Sequence, residues 1–373
     1  MRVVVLSAVA GALLIAQAHA SAYSDFNKAI SAHTDDNNDE VLRLMSLALS
    51  EPGLSDNLRP TAFLVRGEAY VELKKYDLAL ADLTESLRLF PGNYIGLVER
   101  GDLHFRRDEL DLARADYIAA RQLRPEQWRP YANLGQLNVR EGKYDDALKD
   151  YDAGLEAMPD VLDFYVIRSQ AYRLLGQYEK ALDEAESAIE RDRKYARAYL
   201  ARALAEDDSG TTVAAMGDYD KARDGGPDDT DIALHRGVAL WKLGRYADAG
   251  ESFRHGTDAY SLIWRYLANA KLGEHGTKSM DDAAKFTDTV WPTPIVQLFA
   301  GTAQPDSVLA AAASKTGFDR IAKTCDANFY VGEWRVLKGD TAAGKQLLEA
   351  AASACPIGYS ERNAAKVELG RLP

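Results

Sequence analysis

Cysteine is nearly absent: two residues among 373 are too few for a disulfide-framework fold or a zinc ribbon. Surplus basic charge is also absent. Lys and Arg number 45 against 57 Asp and Glu, for a net charge of −12, which argues against a general binder of nucleic acid or anionic membranes. The chain has no HExxH, GxSxG, Walker loop or GxGxxG, so the common motifs of metal, nucleophile and phosphate chemistry are missing. No apolar stretch beyond the first twenty residues is long enough to span a bilayer. What remains, 47% hydrophobic and 27% charged, is the composition of a folded soluble protein and excludes disorder or a collagen-like repeat.

Residues 1–20 read as a cleavable export signal. Arg2 precedes the apolar run Val3–Ile15, and Ala18-His19-Ala20 supplies a small-x-small cleavage pattern. A run of this length spans roughly 20 Å as a helix, short of a bilayer's core of about 30 Å. The expected product starts at Ser21, is periplasmic, and has no cysteine there to carry a lipid.

A 34-residue period dominates the middle of the chain. Gly67, Gly101, Gly135, Ser169, Ala203 and Gly237 recur at that spacing, and twelve residues on stand Ala79, Ala113, Ala147, Ala181, Ala215 and Ala249. Four further come Leu83, Tyr117, Tyr151, Ala185, Tyr219 and Phe253, and Pro91, Pro125, Pro159 and Pro227 close four of the six units. Small residues let the two helices of a hairpin approach, the larger ones fill the space between hairpins, and proline ends the second helix. The pattern resembles the tetratricopeptide repeat family, whose signature runs aromatic, Leu-Gly, Tyr, then Ala, aromatic and Pro. The resemblance implies an all-α, right-handed superhelical solenoid, with six units at 58–263.

The flanks are less regular. Residues 21–57 read as a divergent N-terminal helical hairpin, with Asp39–Ser50 amphipathic. The acidic run at 35–40 lacks the sixth-position glycine and twelfth-position glutamate of a calcium loop and reads as a polar turn. Residues 264–324 contain a degenerate repeat, with a poor second helix at 280–287, then a Trp-Pro segment and short helices resuming at 305–314. Residues 325–373 restore the register as a final hairpin, with a single helix at 360–372 covering the end of the stack. On this register Cys325 begins a first helix and Cys355 ends a second, so the thiols meet in an oxidising compartment or stay reduced and buried.

No catalytic residue, metal site or cofactor is expected, although an acid/base pair assembled across repeats stays open. Of His33, His104, His235, His255 and His275, none makes an i, i+4 pair, and His104 and His235 read as packing or surface residues. Asp207-Asp208 and Asp228-Asp229 fall at expected turns, as solvated charge. In families of this type, positions 2, 5, 9, 12 and 13 of each unit face the ligand. Carried onto this chain, they include the apolar Leu64, Val98, Phe105, Val166 and Leu200, and the run Arg106, Arg129, Arg140, Arg173 and Arg197. Acids at Glu68, Glu72, Asp207, Asp208 and Asp231 flank that run. Either the arginines fork onto the carboxylates of a protein or peptide partner, or they balance neighbouring acids on a solvated face.

A second resemblance covers roughly the last 80 residues. The Trp-Pro pair, Asn328, Phe329, Tyr330 and Gly332, the Gly339-Asp340 turn, and Glu361, Arg362 and Ala365 resemble the NlpI-type envelope lipoproteins. It implies a periplasmic adaptor, often dimeric, that binds a cell-wall hydrolase or a processing protease. Ser21 stands where those proteins carry an acylated cysteine. The expected function is a non-enzymatic scaffold for cell-envelope proteins, with a client-holding secretion factor or a binder of cell-wall fragments as alternatives.

Overall fold

A computed structural model describes residues 21–373, apart from 52, 227–228, 255, 257, 275–279, 281–282, 288–289 and 314–316. The expected export signal, Pro227, Asp228, His255 and His275 lie outside the described residues, as does part of the 280–287 segment. Regular structure among the described residues is entirely helical. Helix α1 (21–34) and α2 (Asn38–Ser50) form the first hairpin, joined by a turn at Asp35-Asp36 and capped where Asn37 accepts from the Glu40 amide. Six pairs of helices come next along the sequence, each a first and a second helix: α3 (Arg59–Glu72) and α4 (Tyr76–Leu89), α5 (Tyr94–Arg106) and α6 (Leu110–Leu123), α7 (Arg129–Arg140) and α8 (Tyr144–Ala157), α9 (Leu162–Leu174) and α10 (Tyr178–Arg191), α11 (Ala196–Ser209) and α12 (Thr212–Gly225), and α13 (Thr230–Lys242) and α14 (Tyr246–Phe253).

The hairpins close as the periodic residues dictate. All six repeat alanines from Ala79 to Ala249 are fully buried, and so are Leu83, Tyr117, Tyr151, Ala185, Tyr219 and Phe253 to within 2%. A Cβ added at Gly101 would lie 2.6 Å from Tyr117 Cε1, so only glycine permits that approach. In the fourth unit Ser169 instead donates its hydroxyl to the Ala181 carbonyl at 2.7 Å. Two further periodic devices operate. The residue that turns each first helix into its second has positive φ: Lys74, Asp108, Gly142, Gly176, Gly210 and Gly244, again 34 apart. The other is an arginine on the first helix paired with an acid sixteen residues on: Arg66–Asp82, Arg100–Asp116, Arg168–Glu184 and Arg202–Asp218.

The chain divides into two compact units. One runs to Leu137 and includes Glu156–Met158; the other holds Asn138–Leu155 and Pro159–Pro373. The second unit continues past the sixth hairpin with α15 (Ala259–Lys271), the short α16 (Thr293–Phe299) after a cis Trp291-Pro292 bond, and α17 (Pro305–Ala313). It ends with α18 (Gly317–Leu337), α19 (Thr341–Ala354) and α20 (Ser360–Leu369). Its core gathers Trp241, Phe253, Trp264, Phe329 and Tyr330 around edge-on and tilted ring contacts 5.0–6.4 Å apart. Cys325 and Cys355 are bridged. Cys325 does not begin a helix, however: α18 starts eight residues earlier, because 317–324 extend the same helix.

Candidate functional site

In the N-terminal unit the positions expected to face a ligand lie on α3, α5 and the start of α7. Val98 and Leu64 are buried among side chains of their own and the adjoining hairpin, Val98 with Leu87, Leu97 and Ala120, and Leu64 with Val71, Leu83 and Leu103. Both are packing residues, which corrects their reading as open apolar anchors. Phe105 is half-buried, while Ile95 is 48% exposed and Arg106 is exposed with no ion pair among the described residues. Arg129 is engaged internally: its Nη2 lies 3.0 Å from Glu99 Oε1 and 2.9 Å from Asp102 Oδ2. Asp102 also accepts from Tyr117 Oη and Asn133 Nδ2, each at 2.7 Å. Glu68 faces the His33 ring at 3.4 Å. Burial, then the nearby Glu99 carboxylate, pushes Glu68 up to about 7. With the three acids Glu68, Glu99 and Asp102 around one arginine, this surface is acidic where a basic one was expected.

In the C-terminal unit the chain covers its own first helices. Arg173, 7% exposed, donates Nη1 to Asp208 Oδ2 at 2.5 Å and to the Gly358 carbonyl at 2.9 Å. Asn363 on α20 donates to the other Asp208 oxygen at 2.9 Å. Arg371 donates to the Lys242 carbonyl at 2.6 Å and stacks on the Trp241 ring. Arg173 is therefore an internal tie through Nη1, buried away from a protein partner on the first-helix surface. Asp207 and Asp208 likewise sit on α11, not at a turn, and Asp207 is buried against Lys242 Nζ at 2.5 Å. Arg197 pairs with Asp163, and the exposed Arg140 is also engaged. Val166 is buried against Ala185, Ile189 and Tyr199, and Leu200 is half-buried there. Of the five arginines, then, Arg106 alone is both exposed and unpaired among the described residues.

Between these elements lies a cavity of about 440 Å³, lined by Arg173 and His235 at one side and by Tyr260, Trp264, Trp291, Asp326 and Glu361. Asp326 Oδ2 accepts from Tyr260 Oη at 2.7 Å and from Trp291 Nε1 at 2.9 Å. Tyr330 Oη donates to Glu361 Oε1 at 2.8 Å. Burial, then the Glu361 charge, pushes the Asp326 carboxyl up to about 8; burial also raises Glu361 and lowers His235. Cys325 Sγ, Asp326 and Glu361 each bring an atom within 4.8 Å of the others. The sulfur is spent in the disulfide, which leaves two carboxylates. His104, by contrast, is a buried helix residue with Nδ1 2.6 Å from Glu109 Oε2.

The repeat pattern does not reveal the cavity, because its walls come from residues as far apart in sequence as Arg173 and Glu361. The period carried one usable signal, the Trp-Pro segment that interrupts it. No helix among the described residues is long and apolar enough to cross a membrane.

The tetratricopeptide repeat model matches residues 64–127, 132–196, 170–230 and 196–261, just over half of the chain. A tetratricopeptide repeat protein of Parabacteroides merdae is similar in structure, with TM-score 0.50, 19% identity, and coverage of 65% of this chain and 98% of that one. A thermophilic tetratricopeptide repeat protein of Thermus thermophilus matches at TM-score 0.44 and 20% identity, over 49% of this chain and 99% of its own. YrrB, a tetratricopeptide repeat protein described as having an unusual peptide-binding site, matches at TM-score 0.35 and 18% identity, over 47% and 89%. No curated protein matches the chain. Proteins of this repeat class generally act as scaffolds for protein and peptide partners, and their fold is typically non-catalytic. The 34-residue period, the paired helices and the family match agree: the chain belongs to the tetratricopeptide repeat family.

Proposed function

We propose that the protein is an exported, periplasmic adaptor that binds protein or peptide partners on the first-helix surface of its N-terminal unit. One observation carries the choice of surface. In the C-terminal unit the equivalent positions are taken up by residues 358–371 of the same chain, whereas on α5 Ile95 and Arg106 stay exposed. Around them Glu68, Glu99 and Asp102 outnumber Arg129, so the surface suits a segment with an apolar anchor and basic side chains. Export rests on the leader-like residues 1–20, and an envelope partner such as a wall hydrolase or a processing protease rests on the NlpI-like C-terminal residues. A homodimer belongs to the same reading.

The test is capture from solubilised envelope with the parent chain and with Ile95→Lys, which removes the exposed apolar anchor and sets a like charge against a basic segment. A few partners recovered stoichiometrically, and lost in the variant, are expected. Many unrelated chains recovered weakly would replace the adaptor by a client-holding factor, and a partner list untouched by the variant would overturn the site. Arg129→Glu and Arg173→Glu are unsuitable probes, because each strands buried or half-buried acids inside the fold.

A further inference from the structure

We propose that the cavity of the C-terminal unit binds an ammonium group between the Asp326 and Glu361 carboxylates and the Tyr260 and Trp291 rings, with an oxygen of the same ligand turned toward Arg173. The ligand class is the free amino end of a short peptide, or a small free amine.

The charge pattern leads there. Asp326 and Glu361, 7% and 8% exposed, bring their oxygens within 4.8 Å of each other. The hydrogen bonds that reach them come from neutral donors: Tyr260, Trp291 and Tyr330. The cation acting on Asp326 is Lys323, one turn back on α18, and it acts through its field. Two buried carboxylates with one ammonium, that of Lys323 in the wall of the same cavity, call for a second positive charge. In the empty cavity a proton supplies it, held on Asp326, whose carboxyl stays protonated up to about 8. Binding of an R–NH₃⁺ ligand releases that proton to solvent, so one positive charge replaces another and the site's net charge is unchanged.

The lining favours an organic cation over a metal ion. Two carboxylates are a small part of the six or more oxygens a hard cation takes, whereas tryptophan and tyrosine faces attract an ammonium directly. The second pole is Arg173: Nη1 is occupied, but its buried Nε has no partner. A buried donor without an acceptor is costly, and a ligand carbonyl or carboxylate would satisfy it. At about 440 Å³ the space suits the end of a peptide, not a folded domain.

The experiment is titration calorimetry of the purified chain with trialanine, N-acetyl-trialanine and n-butylammonium. Either ammonium should bind, and the acetylated peptide at least tenfold more weakly than trialanine. Asp326→Asn, which keeps an acceptor for Tyr260 and Trp291, should abolish that preference, as should Glu361→Gln. Titration near pH 7 in phosphate and in Tris should report release of about one proton per ligand bound. That readout is one a purely structural role for Asp326 would not produce. Tighter binding of trialanine than of butylammonium assigns the site to peptide ends; equal binding assigns it to free amines. Failure of both ammonium probes to bind, equal binding of the acetylated peptide, or an unchanged preference in both variants would overturn the proposal.

Discussion

Gly237→Ala tests whether hairpin closure is set by the residue opposite the small position. A Cβ at Gly237 would fall on the Phe253 ring, with Cδ1 and Cζ at 2.7 Å, where ordinary carbon contacts lie near 3.5–4.0 Å. The ring must withdraw by about 1 Å, yet Phe253 is 1% exposed and stacked against Trp264 with centroids 6.2 Å apart. Overpacking of this kind costs about 1–3 kcal/mol, and the absence of room puts it near the upper end. Alanine regains about 1 kcal/mol over glycine inside a helix, which leaves a net loss of about 2 kcal/mol. Gly67→Ala provides the contrast. Its Cβ would meet Leu83 Cγ at 3.1 Å, a flexible side chain that can give, so the helix gain offsets the strain and the net change stays within about 0.5 kcal/mol. Thermal unfolding by circular dichroism, with fluorescence from Trp241 and Trp264, measures both. Gly237→Ala should lower the C-terminal transition by ~4–8 °C while Gly67→Ala leaves the melt in place. A Gly237→Ala protein that melts with or above the parent, or a Gly67→Ala protein that falls as far, would refute the reasoning.

Four other outcomes are expected. Lys242→Met should destabilise by about 3–5 kcal/mol, because Asp207 is left buried without its cation, and adding Asp207→Asn should recover most of the loss in the same melt. Replacing Cys325 and Cys355 by serine should cost roughly 3–4 kcal/mol for the opened loop, read by urea unfolding of the C-terminal unit. Lys74→Gly should stabilise by about 0.5–1 kcal/mol, since the exposed Lys74 holds a φ of 57° where four other units place glycine. Asp326, held up to about 8 against an ordinary 3.8, and Glu333, pushed by burial to about 7, keep protons that the unfolded chain has lost. Their contribution is complete below pH 4 and fades as pH rises through 7–8, so the melting temperature should drop between pH 5.5 and 8.5. Asp326→Asn should flatten that drop.

The architecture was legible because closure depends on residues that recur: the glycine, alanine and aromatic positions of each unit need no knowledge of their surroundings to be read. The left-handed turn at Lys74, Asp108, Gly142, Gly176, Gly210 and Gly244 has the same period. It was hidden because two of the six positions are not glycine. The arginines at 66, 100, 168 and 202, with their acids sixteen residues on, were equally visible, and their charge is spent within the repeats. Arg173 was misread because its partner Gly358 lies 185 residues away, beyond any local pattern. Asp207-Asp208 read as a turn because two adjacent acids near a glycine are usually solvated; a lysine 35 residues on reverses that. Beyond the Trp-Pro interruption the cavity has no signature, since burial and distance bring its carboxylates together, not spacing.

The return of residues 358–371 to α9, α11 and α13 has a kinetic consequence. A stack with nearest-neighbour contacts alone can start folding anywhere and fray from its ends, one hairpin at a time. Here the ties from Gly358, Asn363 and Arg371 span 185, 155 and about 130 residues, and their chain entropy must be lost before they form. Arg173, Asp208 and the face of Trp241 lack these covers until residues 358–371 have been synthesised. The C-terminal unit therefore completes in a single late step and comes apart as one block, and a chain cut before residue 358 would fail at hairpins more than a hundred residues upstream.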